Sequence, residues 1–459
     1  MKEGTKRERL NTRLGFILLS AGCAIGCGNV WKFPYLCGQG GGAAFLIFYL
    51  LFLIIMGLPI MTMEFSLGRA SQKSPIMMYE ALGKPRWGWH GTFSMIGNVI
   101  LMMFYTVVSG WILKYFVGYV DGSVYELGTN QEAIGAAFGQ TTGSTSSMII
   151  FTFIVIIIGF FVCSFKISNV LEKVEKYMMV LLLVLMIVLA VRGLTLDGGT
   201  EGLKFFLVPD FSKISMDVVV AAMNQAFFTL SLGIGSMEIF GSYIGRDRSL
   251  LGESARVIVL DTFVAVVAGL IIFPACYAYG VQPDAGPGLI FITLPRVFNE
   301  MAGGRIWGII FFLFFTFAAF STVLAVFENI VAMCMDAFHW KRRNASIICL
   351  VAMLVLCLPC ILGFTSLSGF MPFGEGSNIM DIEDVLVSNI GLPLGSIIMC
   401  LFCCHKFGWN WENFKAEANA GEGMKVKDWM KFYCKWILPL IFAFIFVWGI
   451  KDVIIKMIG

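Results

Sequence analysis

Apolar runs of about twenty residues recur along nearly the whole chain, and few folds are open to a chain built that way. In a hydrocarbon layer about 30 Å thick, a helix needs about 20 apolar residues to cross and must satisfy its own peptide groups. The runs are too long for barrel strands. An all-α polytopic membrane protein is therefore expected, with about eleven spans at 14–36, 43–67, 93–117, 148–165, 177–194, 218–243, 257–279, 306–335, 346–362, 385–404 and 432–450. The polar segment GLIFITLPRVFNEMAGG, between the seventh and eighth, is too short to cross and reads as a helical hairpin near 287–304. With 58% hydrophobic and 14% charged residues and a mean hydropathy of +0.82, the composition leaves no soluble domain of any size.

Charge sets orientation. Lys and Arg gather in the N-terminal KRERLNTR, in 69–86, in 166–176, at Arg246, Arg248 and Arg256, at Lys341, Arg342 and Arg343, and in 406–435, whereas 121–147 has none. The cation-rich side is expected to be cytoplasmic, which puts the N-terminus inside and the C-terminus outside a cell membrane, a prokaryotic plasma membrane on this reading. MKEGTKRERLNTR is too polar for a cleaved signal, so the first span should be retained. The net charge of +3 resides in loops, and no nucleic-acid partner is implied. The 13 cysteines lie mostly inside apolar runs, as small hydrophobes rather than disulfide or metal frameworks. His90, His339 and His405 stand at span ends without a nucleophile–base set, which argues against an enzyme.

Within the first span, SAGCAIGCGNVWKFPY carries Gly22, Gly26 and Gly28. A helix-interior glycine costs about 1 kcal/mol relative to alanine. Close helix packing is one account, because Gly22 and Gly26 have small-xxx-small spacing. The other is an unwound segment whose carbonyls meet a cation and whose N–H groups meet an anion. Asn29 favours the second, since an amide oxygen beside free carbonyls is a hard-cation ligand. Five helices later, TLSLGIGSM repeats the pattern, with Thr229 and Ser231 beside Gly233 and Gly235. Two broken spans at corresponding places in two five-helix halves point to a secondary transporter of inverted repeats.

The ordered motifs RLGFILLSAGCAIGCGNVWKFPYLCGQGGGAAF, GLPIMTMEFSLGR, NQAFFTLSLGIGSMEIFGSY and FITLPRVFNEMAGG resemble the neurotransmitter:sodium symporter family, in particular its bacterial amino-acid branch with the leucine transporter. The resemblance spans Arg7 to about Cys404. It implies a 5+5 inverted-repeat core with discontinuous first and sixth helices, dividing the chain into an N-terminal latch (1–13), repeats at 14–194 and 218–404, a cytoplasmic loop (405–431) and a last span (432–450). It also implies two sodium ions and an amino acid between the broken helices.

Carried over residue by residue, the resemblance assigns the first sodium to the Ala24 carbonyl, Asn29, Thr229 and Asp261, completed by the substrate carboxylate. The second falls to carbonyls of Gly22, Ile25 and Ala318 with the hydroxyls of Ser321 and Thr322; without the family register, such hydroxyls more often bond back to their own helix. Substrate carboxylate would meet N–H groups at Cys27 and Gly28 and the Tyr105 hydroxyl, and its ammonium the carbonyls near Phe228 and Ser231. Leu101, Phe228, Ile234, Val323 and Val326 would wall the side chain over Cys23 and Ala24. Lys32 and Asp384 fill the outer-gate positions above Tyr105 and Phe228, with Lys a point charge where Arg is common. Arg7 and Asp336 fill the inner gate, with Ser242 and Tyr243 nearby.

Departures from the family pattern carry information. Chloride-requiring members have Asn in place of Asp261 and Ser in place of Ala265. An intramembrane carboxylate is expensive and by default functional, so Asp261 is expected to replace chloride, leaving Tyr49 and Gln225 as remnants of an anion pocket. Leu10 replaces the tryptophan of the N-terminal latch. Val170 and Val180 replace a Gly and a Pro that let the fifth helix unwind toward the second sodium.

The expected function is sodium-coupled, chloride-independent import of neutral apolar amino acids by alternating access. Leucine, isoleucine, valine and methionine fit aliphatic walls, and an aromatic substrate is admitted because Ile234 is smaller than the Phe of the leucine transporter. Beyond that substrate and the bilayer, no partner is implied. The alternative is a substrate-gated channel or a sensor that keeps the fold.

Overall fold

The computed structural model describes residues 9–281 and 288–458, so Arg7 and most of the expected N-terminal latch lie outside the described residues. Nine continuous apolar helices are long enough to cross a membrane among them. These are α3 (Ala43–Ser71), α4 (Pro85–Asp121), α5 (Thr145–Cys163), α6 (Ile167–Leu194), α9 (Leu250–Ala278), α10 (Gly304–Phe338), α11 (Arg342–Gly363), α12 (Ile379–Cys404) and α13 (Met430–Lys451). The first span is a pair, α1 (Arg13–Ala24) and α2 (Gly28–Gln39), bent by 54°. The sixth is also a pair, α7 (Met216–Thr229) and α8 (Ser236–Gly241).

Each break has a local cause. At the end of α1, Ile25 is extended (φ −75°, ψ 105°), and α2 restarts at Gly28. Between α7 and α8, Ser231, Gly233 and Gly235 all have positive φ, and Gly233 meets α12 so closely that a Cβ would lie 2.2 Å from the Leu392 carbonyl oxygen. Only glycine fits such a combination of φ and contact.

Wide, π-type helical turns recur at Gly28–Lys32, Leu53–Gly57, Leu289–Thr293, Val385–Gly391 and Tyr433–Ile437, each ending two residues before a proline. Proline offers no N–H and crowds the carbonyl four residues back, and a widened turn relieves both. A sixth such turn, Ile167–Leu171, opens α6 with no proline after it.

Two expectations need correction. The fifth span begins at Ile167 rather than 177, because Glu172 and Glu175, which look like loop residues, are buried against α1. The outer segment near 287–304 is a wide turn followed by one helix, Leu294–Glu300, rather than a hairpin. The polar connections also contain helices Gln131–Gly143, Gly199–Leu207 and Trp411–Ala418. α1 sits among α6, α9 and α10, and α8 lies on α3, so both breaks face the middle of the bundle.

Candidate functional site

The two breaks meet at a narrow chamber of about 20 Å³ lined by Cys23, Ala24, Gly26, Gly28, Leu101, Tyr105, Phe228, Thr229, Ser231, Ile234 and Thr322. Val387 and Leu392 of α12 complete its wall, and the sequence reading missed both. Their signal was Pro393, which widens the helix just before it and turns those residues inward. Val323 and Val326, expected in this wall, are buried but do not line the chamber, and Val323 packs toward Gly159 of α5. Among the described residues, no charged side chain lines the chamber.

Above it lies a larger cavity of about 350 Å³, shared by Cys27, Lys32, Tyr105, Phe228, Asp381 and Asp384. Lys32 and Asp384 both face it but are not paired. The Lys32 Nζ sits 3.8 Å from the centre of the Phe228 ring, and Asp384 Oδ1 accepts from the Ser388 hydroxyl at 2.6 Å. Phe228 therefore separates the two cavities, held down by a cation–π contact. The Tyr105 hydroxyl already accepts the Cys27 N–H at 3.0 Å, so α4 and the start of α2 are joined at the chamber roof.

Two oxygen clusters flank the chamber. In the first, Asp261 is fully buried; its Oδ1 accepts from Asn29 Nδ2 (2.8 Å) and the Thr229 hydroxyl (3.2 Å), and its Oδ2 from Tyr49 (3.5 Å). Asn29 presents its amide nitrogen to the carboxylate and its oxygen to the Gly26 N–H at 3.0 Å, since a carboxylate only accepts. Gln225 Nε2 donates to the Gly28 carbonyl at 2.9 Å, and Ala265 is fully buried.

In the second cluster, the Ser321 hydroxyl oxygen lies within 3.0–3.3 Å of the carbonyl oxygens of Gly22, Ile25 and Ala318. The Thr322 hydroxyl oxygen is 3.2 Å from Gly22 O and 3.1 Å from Ile25 O. Two hydroxyl protons cannot serve five such contacts. Surplus oxygen lone pairs converging at the negative end of α1 are what a hard monovalent cation coordinates.

At the end that loop charge assigns to the cytoplasm, Asp336 Oδ2 accepts the Ser74 N–H (2.8 Å), with Lys73 Nζ at 3.9 Å from its other oxygen. Ser242 is buried beside Tyr243, and the Leu10 N–H reaches the Tyr243 carbonyl at 3.4 Å. The Tyr243 hydroxyl donates to Glu328 (2.6 Å), which is also gripped by both terminal nitrogens of Arg342 (2.6 and 2.9 Å). The sequence reading missed Glu328 and Arg342; a glutamate inside the apolar run LAVFENIVAM was the available signal.

Discontinuous helices, a central apolar chamber and two flanking oxygen clusters define a secondary transporter of the membrane. The sequence matches the Sodium:neurotransmitter symporter family over residues 7–127 and 129–457. The chain is 33% identical over 439 residues to the sodium-dependent transporter YhdH of Bacillus subtilis (strain 168), covering 95% of this chain and 96% of that one. It is 32% identical over 451 residues to the sodium-dependent transporter MJ1319 of Methanocaldococcus jannaschii, covering 95% and 89%. The crystal structure of MhsT in complex with L-phenylalanine superposes with a TM-score of 0.86 at 36% identity, covering 96% of this chain and 99% of MhsT. The chain belongs to the sodium:neurotransmitter symporter family and is a sodium-dependent symporter.

Proposed function

We propose that this symporter imports neutral apolar amino acids with sodium, without chloride, by alternating access. The observation that carries the reading is the uncharged chamber at the two helix breaks, since a charged substrate side chain would stand there unpaired and desolvated. Leucine, isoleucine, valine and methionine are the proposed substrates, with aromatic side chains also admitted; the phenylalanine bound by MhsT, whose fold this chain shares, supports the latter. The chamber is too small for any of them until Phe228 lifts away, so binding and the closing of Phe228 and Tyr105 over the substrate are one process.

On this reading, Cys27, Gly28 and Tyr105 hold the substrate carboxylate, and the free carbonyls ending α7 near Phe228 and Ser231 hold its ammonium. The first sodium binds among Ala24, Asn29, Thr229 and Asp261, in contact with the substrate carboxylate, which couples ion to amino acid. The second binds among Gly22, Ile25, Ala318, Ser321 and Thr322. Lys32 and Asp384 approach as the outer cavity closes, and the contacts around Asp336 and Tyr243 part as the inner side opens, with Arg7 assigned to the same gate by the family resemblance. The two inverted repeats are 14–194 and 218–404, and the N-terminus is cytoplasmic.

The test is uptake of labelled leucine and phenylalanine into proteoliposomes under an inward sodium gradient, with potassium replacing sodium and gluconate replacing chloride in parallel arms. Accumulation above equilibrium that needs sodium but not chloride is the expected result. Flux that only equilibrates would favour a channel, and binding without flux a sensor.

A further inference from the structure

Helix α1 has Gly15 and Gly22 two turns apart on one face, and α6 sets two carboxylates against them. A Cβ on Gly15 would lie 2.3 Å from Glu172 Oε1, and one on Gly22 would lie 2.9 Å from Glu175 Oε2. The missing side chains are the seats of the two acids.

The acids differ in what holds them. Glu172 accepts the N–H groups of Asn11 and Thr12 (2.9 and 3.1 Å) and the Thr12 hydroxyl (2.8 Å), a complete set of donors at the start of α1. Glu175 is fully buried, and neither oxygen has a hydrogen-bond partner among the described residues. A carboxyl so placed either pairs with a cation or holds a proton. The nearest basic residue of α1, Arg13, is already committed to Glu253 at 2.7 Å.

The second oxygen cluster lies beside Glu175. Gly22, which it touches, contributes the carbonyl shared by Ser321 and Thr322, and Ser321 Cβ flanks the same Gly22 position at 3.4 Å. We propose that Glu175 is a cation ligand at the inner edge of the second sodium site, receiving sodium from the Gly22 carbonyl as the ion leaves. The inference rests on the proposed second site at Gly22, Ile25, Ala318, Ser321 and Thr322. The route continues along α6. When α1 tilts away, Glu172 loses its three donors and becomes the next oxygen ligand outward. The wide turn Ile167–Leu171, the one such turn among the described residues that no proline explains, lies just beyond it. This path stands where Val170 and Val180 occupy the positions at which relatives have their Gly and Pro.

Equilibrium binding of labelled sodium to the purified full-length protein tests the proposal directly, without an amino-acid substrate. E175Q keeps the shape and removes the charge, and it should weaken one of the two sodium sites by about tenfold; T322V should weaken the same site. T322V weakening binding while E175Q matches wild type would overturn the role of Glu175 and keep the second site. T322V without effect would overturn the second site, and this inference with it. In wild type, sodium should protect Glu175 from a hydrophobic carbodiimide, read by peptide mass. That measurement stands even where E175Q does not fold, and absence of protection would overturn the proposal.

Discussion

Replacing Asp261 by asparagine is the most informative perturbation of the first cluster. The carboxylate oxygen Oδ1 is within 2.8–3.2 Å of Asn29 and Thr229, so a sodium held among these groups would sit within about 4 Å of the charge. At an effective dielectric constant of about 20, unit charges at that distance attract by about 4 kcal/mol. Asparagine keeps an oxygen dipole in place, and we take it to recover about half of that. The remaining 2 kcal/mol or so corresponds to roughly 30-fold weaker sodium affinity. The fold itself should not suffer, because a buried charge and its desolvation cost disappear together. The assay is the sodium concentration for half-maximal uptake, measured in chloride and in gluconate. D261N should be impaired in both. The double variant D261N/A265S, which adds a hydroxyl one helical turn along α9 from position 261, should regain affinity in chloride alone. D261N with a sodium requirement within about twofold of wild type and no response to chloride in either variant would refute the reasoning.

Three further outcomes follow from the same geometry. In G26A the new Cβ would lie 2.3 Å from the Tyr105 hydroxyl and 2.4 Å from Thr322 Oγ1, so substrate binding by scintillation proximity should fall at least about 100-fold while the protein still purifies as a monodisperse species. In G68A the Cβ would lie 1.8 Å from the Glu238 carbonyl oxygen, driving α3 off α8; a loss of about 3 kcal/mol should appear as a lowered thermal unfolding midpoint. E328Q removes a buried carboxylate that Arg342 and Tyr243 both bond, a cost of about 3 kcal/mol, and inner-side cysteine reporters should label faster.

The fold was legible because lipid leaves so few choices. Apolar run length locates most span ends to within about two turns, the start of the fifth span excepted, and the glycines of the first and sixth spans mark both breaks. What failed to show was charge carried inside helices. Glu172 and Glu175 made the start of α6 look like a loop, and only tertiary contact with Gly15 and Gly22 explains their burial. For the candidate site, the residues of α1, α2 and α7 fall at the chamber because the breaks fix their register. Val323 lies on an unbroken helix, where no break marks the register, and it packs toward Gly159 of α5. Val387 and Leu392 were hidden for the opposite reason: the wide turn before Pro393 shifts the helical register in a way that a 3.6-residue period does not anticipate.

The distribution of charge explains which side of the bundle is shut. Each ion pair among the described residues lies at the end that loop cations assign to the cytoplasm: Arg13 and Arg256 on Glu253, Arg69 and Arg246 on Glu417, Arg342 on Glu328, and the more exposed pairs around them. The outer end has Lys32 on an aromatic ring and Asp384 on a serine, with a 350 Å³ cavity between the elements that bear them. Opening the inner side by parting pairs between elements, such as Arg13 on the fully buried Glu253, would strip a desolvated carboxylate of its partner, whereas closing the outer side would bring two half-buried charges together. Buried pairs broken singly cost about 3–5 kcal/mol, more than an exposed pair returns. Outer closure alone therefore cannot drive inner opening. The difference has to come from ligands that bind the closed-over site more tightly than the open one, the role the bound sodium ions and substrate would fill.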